Sequence, residues 1–402
     1  MTSKYPGGLI RKTPPTTVGP VDGEGGSAPG VWTLDQALAL QKQGLWPKPT
    51  LPRELYAWGR NTSGQLGLND LINISSPVQV GALANWKETD GGFDFFVATK
   101  NDGTLWAWGR NDFGQLGQNS TVYCSSPVQI GALTGWSKAA AGDLFCIAIK
   151  TDGTLWSWGR NDSGRLGLND TNPRSSPVQV GALTNWAKIS AGAGFCTAIK
   201  TDGTFWAWGY NGAGQLGQND TANRSSPVQV GALTTWSQVG PSSRSTVAIQ
   251  TNGTLWAWGS NNNGQLGLND TVNRSSPVQV GALTGWARLT GLAYSSLSVK
   301  TDGTLWSWGR NTSGELGLGD VNNRSSPVQI GALTGWDKIG AGYQHSLAIK
   351  TNGTLWAWGR NHYGQLGQNN TTYRSSPVQT GALTTWLGVA GSRDSSSATQ
   401  TP

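Results

Sequence analysis

From Leu51 to Gln400 the chain is seven successive blocks of 50 residues that align without an insertion. A typical block reads TDGTLWAWGRNDxGQLGxNDTxxRSSPVQVGALTxWxKIxAGxxFxxAIK. Self-similarity at such a period marks an array of one supersecondary unit, whose neighbours bury what one unit cannot. The residues inside a block decide which unit it is. Thr104-Leu105-Trp106-Ala107-Trp108 alternates strictly, and Cys146-Ile147-Ala148-Ile149-Lys150 does the same, which is the two-residue period of a strand. Thr151-Asp152-Gly153-Thr154 between two such runs is a hairpin signal, with Gly153 free to take positive φ. Ser125 to Gln129 offers a third short strand, its proline near the start where no ladder donor is needed. Trp136 to Ala141 offers a fourth. No block carries a 3.6-residue pattern, so a helical solenoid is excluded. Four short strands repeated seven times predict an all-β, seven-bladed β-propeller over residues 51–402.

The first block opens in mid-blade at Leu55-Tyr56-Ala57-Trp58. The last stops after Leu387 to Gly391 and a serine-rich tail to Gln400. Each end holds the half the other lacks, so the tail is expected to pair with Leu55–Trp58 and close the ring without exposed edges.

At these residues the chain resembles the regulator of chromosome condensation repeats. Their signature pairs a WG-x-N-x-x-G-Q-L-G turn with a P-x-x-V segment and an x-A-G-x-x-H-x-x-A-L strand. Here the turn is Trp108-Gly109-Arg110-Asn111 with Gly114-Gln115-Leu116-Gly117, and the fullest strand copy is Ala341 to Ala348. The resemblance implies a seven-bladed propeller. Only His345 keeps the signature histidine; Phe95, Phe145, Phe195, Ser245, Ser295 and Ser395 replace it, and guanine-nucleotide exchange is not expected. Of the 22 tryptophans, all but Trp32 and Trp46 lie in the blocks, where their recurrence in every unit reads as core packing rather than a ligand platform.

Residues 1–50 share nothing with the repeat. Met1 to Gly30 is rich in Pro, Gly, Thr and Ser and reads as an extended arm. Thr33 with Gln36 forms a capping box, while Gly44 and Pro47 form a stop, which predicts a short helix over about 34–43. A helix of roughly ten residues does not stand alone in water. Trp32, Leu34, Leu38 and Trp46 are therefore the arm's candidate docking residues. The stretch S-x-x-G-V-W-T-L-x-x-x-x-x-x-Q-x-x-x-x-W-P resembles structural proteins of tailed bacteriophages. That resemblance implies a virion component (tail fibre, spike or capsid decoration), assembled in bacterial host cytoplasm and attached to other virion proteins through residues 1–50. The alternative is a bacterial protein-binding or inhibitor propeller resembling the secreted β-lactamase inhibitor propellers. A eukaryote-like exchange factor or chromatin binder is the third reading.

Composition narrows the chemistry. Charged residues are 13%, about half of the usual ~25%, and the net charge of +7 falls in no block of like charges. No nucleic-acid partner is expected from it. Three cysteines, Cys124, Cys146 and Cys196, give neither a disulfide framework nor a CxxC pair. Met1 to Thr17 shows no apolar signal core, and no run approaches a membrane span, so neither secretion by a leader nor membrane insertion is expected.

A catalytic group is normally unique, so a residue present in every block is a poor candidate. The unique ones (His345, His362, Glu88, Asp90, Asp94, Asp143, Arg244, Glu315, Arg393, Asp394) show no metal spacing, P-loop or nucleophile elbow. No catalytic activity, cofactor or metal is expected. Arg174 and its copies at 224, 274 and 324 each follow an aspartate by four residues and read as local loop clips. Two blocks alone carry aromatics at both their thirteenth and twenty-third positions: Phe113 with Tyr123, and Tyr363 with Tyr373. Their joint change predicts that the two side chains meet across the loop. With His362 they form a candidate patch for a host surface protein or glycan. A ring of this kind is compatible with homo-oligomers.

Overall fold

The computed structural model describes residues 52–402; the predicted helix and the candidates Trp32, Leu34, Leu38 and Trp46 lie outside the described residues. The described residues form 28 strands in seven four-stranded antiparallel sheets. They begin with β1 (Glu54–Gly59), β2 (Ile74–Gln79), β3 (Trp86–Gly91), β4 (Phe95–Lys100), β5 (Leu105–Gly109) and β6 (Cys124–Gln129). The pattern then repeats, ending with β27 (Trp386–Gly391) and β28 (Ser395–Gln400). One blade runs β3-β4-β5-β6, with β3 innermost and packed against the inner strands of both neighbouring blades. This is the seven-bladed propeller the period predicts. Blade and sequence block are offset by half, so each block supplies the outer strands of one blade and the inner strands of the next.

The same offset closes the ring. The sheet β2-β1-β28-β27 joins both ends of the repeat, in register from Glu54 opposite Gln400 to Gly59 opposite Ser395. In the outer pair the ladder skips from Ala107–Val128 to Gly109–Cys124, and Pro127 falls in the gap, where its missing N–H is not needed. The hairpin before β9 (Leu155–Gly159) is closed by Gly153 N–H to the Lys150 carbonyl at 2.9 Å and Lys150 N–H to the Thr154 carbonyl at 3.0 Å.

The core lies between blades rather than within them. Leu55, Ala57, Leu66 and Val80 of the closing blade pack on Trp86, Phe96, Ala98 and Trp108 of the next. Trp58, Trp108, Trp158, Trp208, Trp258, Trp308 and Trp358 are wholly buried. Each indole also donates across the blade boundary, as Trp108 Nε1 does to the Gln65 carbonyl at 2.9 Å and Trp158 to that of Gln115 at 2.8 Å. Trp58 makes the same bond to Gln365 at 2.9 Å across the closure. The other indole of six of these seven strands, such as Trp106, is only half-buried, and β1 carries Tyr56 in its place.

The remaining signature residues hold the loop after β5 and its copies. Asn61 is buried; its amide donates to Asp70, and its Oδ1 accepts the Leu66 N–H at 2.9 Å. Asn119 has φ 53°, a left-handed conformation that Asn tolerates and branched residues do not. That twist aims its N–H at the Ser175 carbonyl of the next blade, at 2.7 Å. In the sixth block this position is Gly319, at φ 84°.

Candidate functional site

The two faces of the propeller differ in chemistry. One face carries the turns between β4 and β5, and the lysines that follow the inner hairpins rest on tryptophan pairs there. Lys100 lies 5.4 Å from the Trp86 ring and 5.3 Å from Trp106, and Lys150, Lys200, Lys300 and Lys350 repeat the arrangement. The same contacts recur in five blades, so they serve the scaffold.

The opposite face carries the turn between β3 and β4, the loop after β5, and their copies. Here the blades differ. The inner turns surround the mouth of the central channel, a cavity of about 100 Å³ whose lining includes Phe93, Asp143, Tyr343 and Arg393. Adjacent turns are bonded to one another: Phe93 N–H donates to the Asp143 carbonyl at 2.9 Å and Tyr343 N–H to that of Arg393 at 3.2 Å. Burial pushes the Asp143 carboxyl up to about 6, against the pull of Arg165, Arg160 and Arg393.

Eight arginines stand on this face: Arg60, Arg110, Arg160, Arg165, Arg244, Arg310, Arg360 and, lining the mouth itself, Arg393. All but Arg360 lie over an aromatic ring. Arg393 is 4.3 Å and Arg110 5.3 Å from the centre of the Phe93 ring. Arg60 is 5.4 Å from Tyr363, and Arg160 is 5.2 Å from Phe113. Arg165, Arg244 and Arg310 stack on Phe145, Tyr210 and Tyr294. Farther out, Arg174, Arg224, Arg274 and Arg324 are the expected loop clips, each 2.5–2.6 Å from its aspartate.

The expected aromatic pairing across the loop is corrected. Phe113 turns toward Arg160 of the next blade, while the Tyr123 hydroxyl bonds Asp112 Oδ1 at 2.5 Å. The thirteenth position points across the blade boundary and the twenty-third back into its own loop. In the other block Tyr363 sits edge-on to His362 at 4.7 Å and under Arg60 of the closing blade. Phe113, Tyr123 and Tyr373 remain exposed. The arginines at the tenth position were the missed signal: five of seven blocks carry one, directly after the Trp-Gly pair.

Beneath the mouth, residue sizes are exchanged between two positions. Phe95, Phe145, Phe195 and His345 each pack over a glycine three residues earlier: Gly92, Gly142, Gly192 and Gly342. A Cβ on those glycines would meet the ring at 2.1–2.4 Å. Where the later residue is Ser245, Ser295 or Ser395, the earlier one is Ser242, Leu292 or Ser392.

His345 is fully buried, its Nε2 is 2.9 Å from Ser396 Oγ, and burial pushes its pKa down to about 3. An unfolded imidazole titrates near 6.5. Between those values the unfolded chain binds a proton the folded one refuses, so the contribution is intact above about pH 6.5 and is lost as pH falls toward about 3. The slope is ~1.4 kcal/mol per pH unit. Between about pH 7.5 and about pH 5 the protein should lose ~2 kcal/mol more than His345→Phe, measured by urea denaturation at both values. Parallel losses would show that His345 is protonated in the fold.

Among the described residues no group of three or more His, Cys, Asp or Glu is placed to hold a metal ion. The molecule is thus a repeat propeller with a uniform scaffold and one variable, arginine-rich loop face. The regulator of chromosome condensation (RCC1) repeat matches residues 54–98, 102–149, 152–199, 202–249, 252–291, 302–349 and 352–398, and the chain belongs to that family. No curated protein sequence matches it.

Among solved structures it is similar to human WBSCR16, at 17% identity and TM-score 0.79, covering 87% of this chain and 98% of that one. Yeast RCC1 (Prp20) bound to Kap60 aligns at 20% identity and TM-score 0.80 over 88% and 89% of the two chains. Prp20p from Saccharomyces cerevisiae, described with its binding properties to Gsp1p and histones, gives 21%, 0.78, 87% and 92%. At these identities the likeness is one of fold.

Proposed function

We propose that the protein is a non-catalytic, protein-binding propeller of a bacteriophage virion, anchored through residues 1–50 and presenting its loop face outward. The contrast between faces carries the binding part of this reading. A scaffold explains contacts repeated unchanged in five blades, such as the lysine–tryptophan stacks, but not an arginine–aromatic ring that changes from blade to blade. Arginine and aromatic side chains are the residues enriched in protein interfaces. The Prp20 structures, one of them a complex with Kap60, support a propeller of this family as a protein-binding platform. The virion part rests on the arm, with Trp32, Leu34, Leu38 and Trp46 as its contacts. Particles should take up the full chain, whereas a chain of residues 51–402 should fold with the same near-ultraviolet circular dichroism yet be missing from purified particles by mass spectrometry. Equal uptake of both chains removes the anchoring role.

A further inference from the structure

Where the ring closes, the loop face brings three arginines together. Arg60, Arg360 and Arg393 come from the first, last and closing segments of the propeller and meet over two carboxylates, Asp94 and Asp394, which are 3% and 2% exposed. Arg60 lies 3.3 Å from Asp94 and 3.9 Å from Asp394, Arg393 lies 4.0 and 3.6 Å from the same pair, and Arg360 lies 3.5 Å from Asp394. The rim clips, at 2.5–2.6 Å, are made as charge-assisted bonds should be. In the closing sector three guanidiniums share two carboxylates at longer range, so most of their N–H donors are left without an acid. Arg60 Nε is buried with no partner.

Aromatic rings hold two of these groups, Arg60 and Arg393, in place. Arg393 and Arg110 both lie on Phe93, while Arg60 lies on Tyr363. A stacked guanidinium keeps its N–H edge free for a carboxylate and loses little side-chain entropy when it binds one. Stacking also decides between partners. Single-stranded nucleic acid is gripped by bare aromatic faces on which bases stack, and here the Phe93 ring already carries two arginines and the Tyr363 ring Arg60 and His362.

We infer that the sector formed by Arg60, Arg360 and Arg393, with Phe93 and Tyr363, is the docking surface for an acidic protein segment that supplies the carboxylates these arginines lack. The inference rests on the protein-binding reading and names the chemistry of its partner. It says nothing about the arm.

The test uses the full chain and a short, fluorescently labelled glutamate-rich peptide, followed by anisotropy at low and at physiological salt. The peptide should bind and be released as salt rises. Arg393→Gln and Arg360→Gln should each weaken it by about tenfold, while Arg174→Gln at the rim should change it less than about twofold. Thermal melts identify a variant that has lost its fold, and Arg360→Gln, whose side chain also bonds Gln344 at 3.0 Å, keeps the test open if Arg393→Gln unfolds. The inference is overturned by absence of binding at low salt, by equal losses in all three variants, or by tighter binding of a single-stranded oligonucleotide of equal length. A protein that enters particles but ignores the peptide sinks this inference alone.

Discussion

Deleting residues 387–402 should abolish the single cooperative unfolding transition and cost more than about 5 kcal/mol, a large part of the ~5–15 kcal/mol that folded domains typically possess. The deletion removes β28 and all of β27 except Trp386. β1 then loses its entire six-residue inner register and keeps only β2 as a partner. Ala398 leaves the cluster that holds Trp58, Leu347, Leu355 and Trp386. Asp394, the shared counter-ion of Arg60 and Arg360, goes with it. What remains between the last blade and β1–β2 are staples such as Trp58 to Gln365 and Asn369 to Ser75, which tie down the outer half of a blade with no inner half. Because every core cluster spans two blades, opening one boundary weakens both neighbours. Urea unfolding followed by tryptophan fluorescence checks this: a truncated chain with the midpoint and slope of the intact one would show that closure contributes nothing.

How far the sequence could be read follows from where its information lies. The period and its two-residue alternation specify strands, and the half-block offset at Leu55–Trp58 and Ser395–Gln400 specifies the closure. All of these are local or periodic features. The loop clips were legible because Asp170 and Arg174 are four residues apart. The arginine sector was not, because Asp94 and Asp394 stand near opposite ends of the propeller sequence and meet only once the ring has closed. The pairing of Phe113 with Tyr123 shows a different limit. Two positions that vary together need not touch: both respond to one loop, but one faces the next blade's Arg160 and the other its own Asp112. The half-buried Trp106 is the same lesson for tryptophan, since recurrence in every block signals a scaffold role without saying how deep the ring lies.

The size exchange beneath the channel mouth predicts a strong coupling. Gly142→Ser puts a Cβ about where Phe145 Cε1 lies, 2.1 Å from it, with the Gly192 carbonyl oxygen at 2.7 Å. Neither neighbour has room to retreat, because Phe145 is fully buried in the interblade core. The cost should reach the upper part of the ~1–3 kcal/mol range for overpacking, or exceed it. Phe145→Ser alone leaves a cavity with a hydroxyl inside it, and large-to-small changes of an aromatic typically cost ~3–5 kcal/mol. Ser242 and Ser245 show how a blade lives with the reverse arrangement: their hydroxyls lie 2.6 Å apart, and the Ser245 N–H donates to Ser242 Oγ at 3.1 Å. The double change Gly142→Ser with Phe145→Ser rebuilds that pair, removing the clash and giving the new hydroxyl a partner. It should therefore cost at least ~2 kcal/mol less than the sum of the single changes, well beyond the ~0.5 kcal/mol within which independent sites add. A double-mutant cycle by urea denaturation measures the coupling. Additive costs would mean that glycine is required at 142 by the neighbouring Gly192 carbonyl rather than by the ring of Phe145.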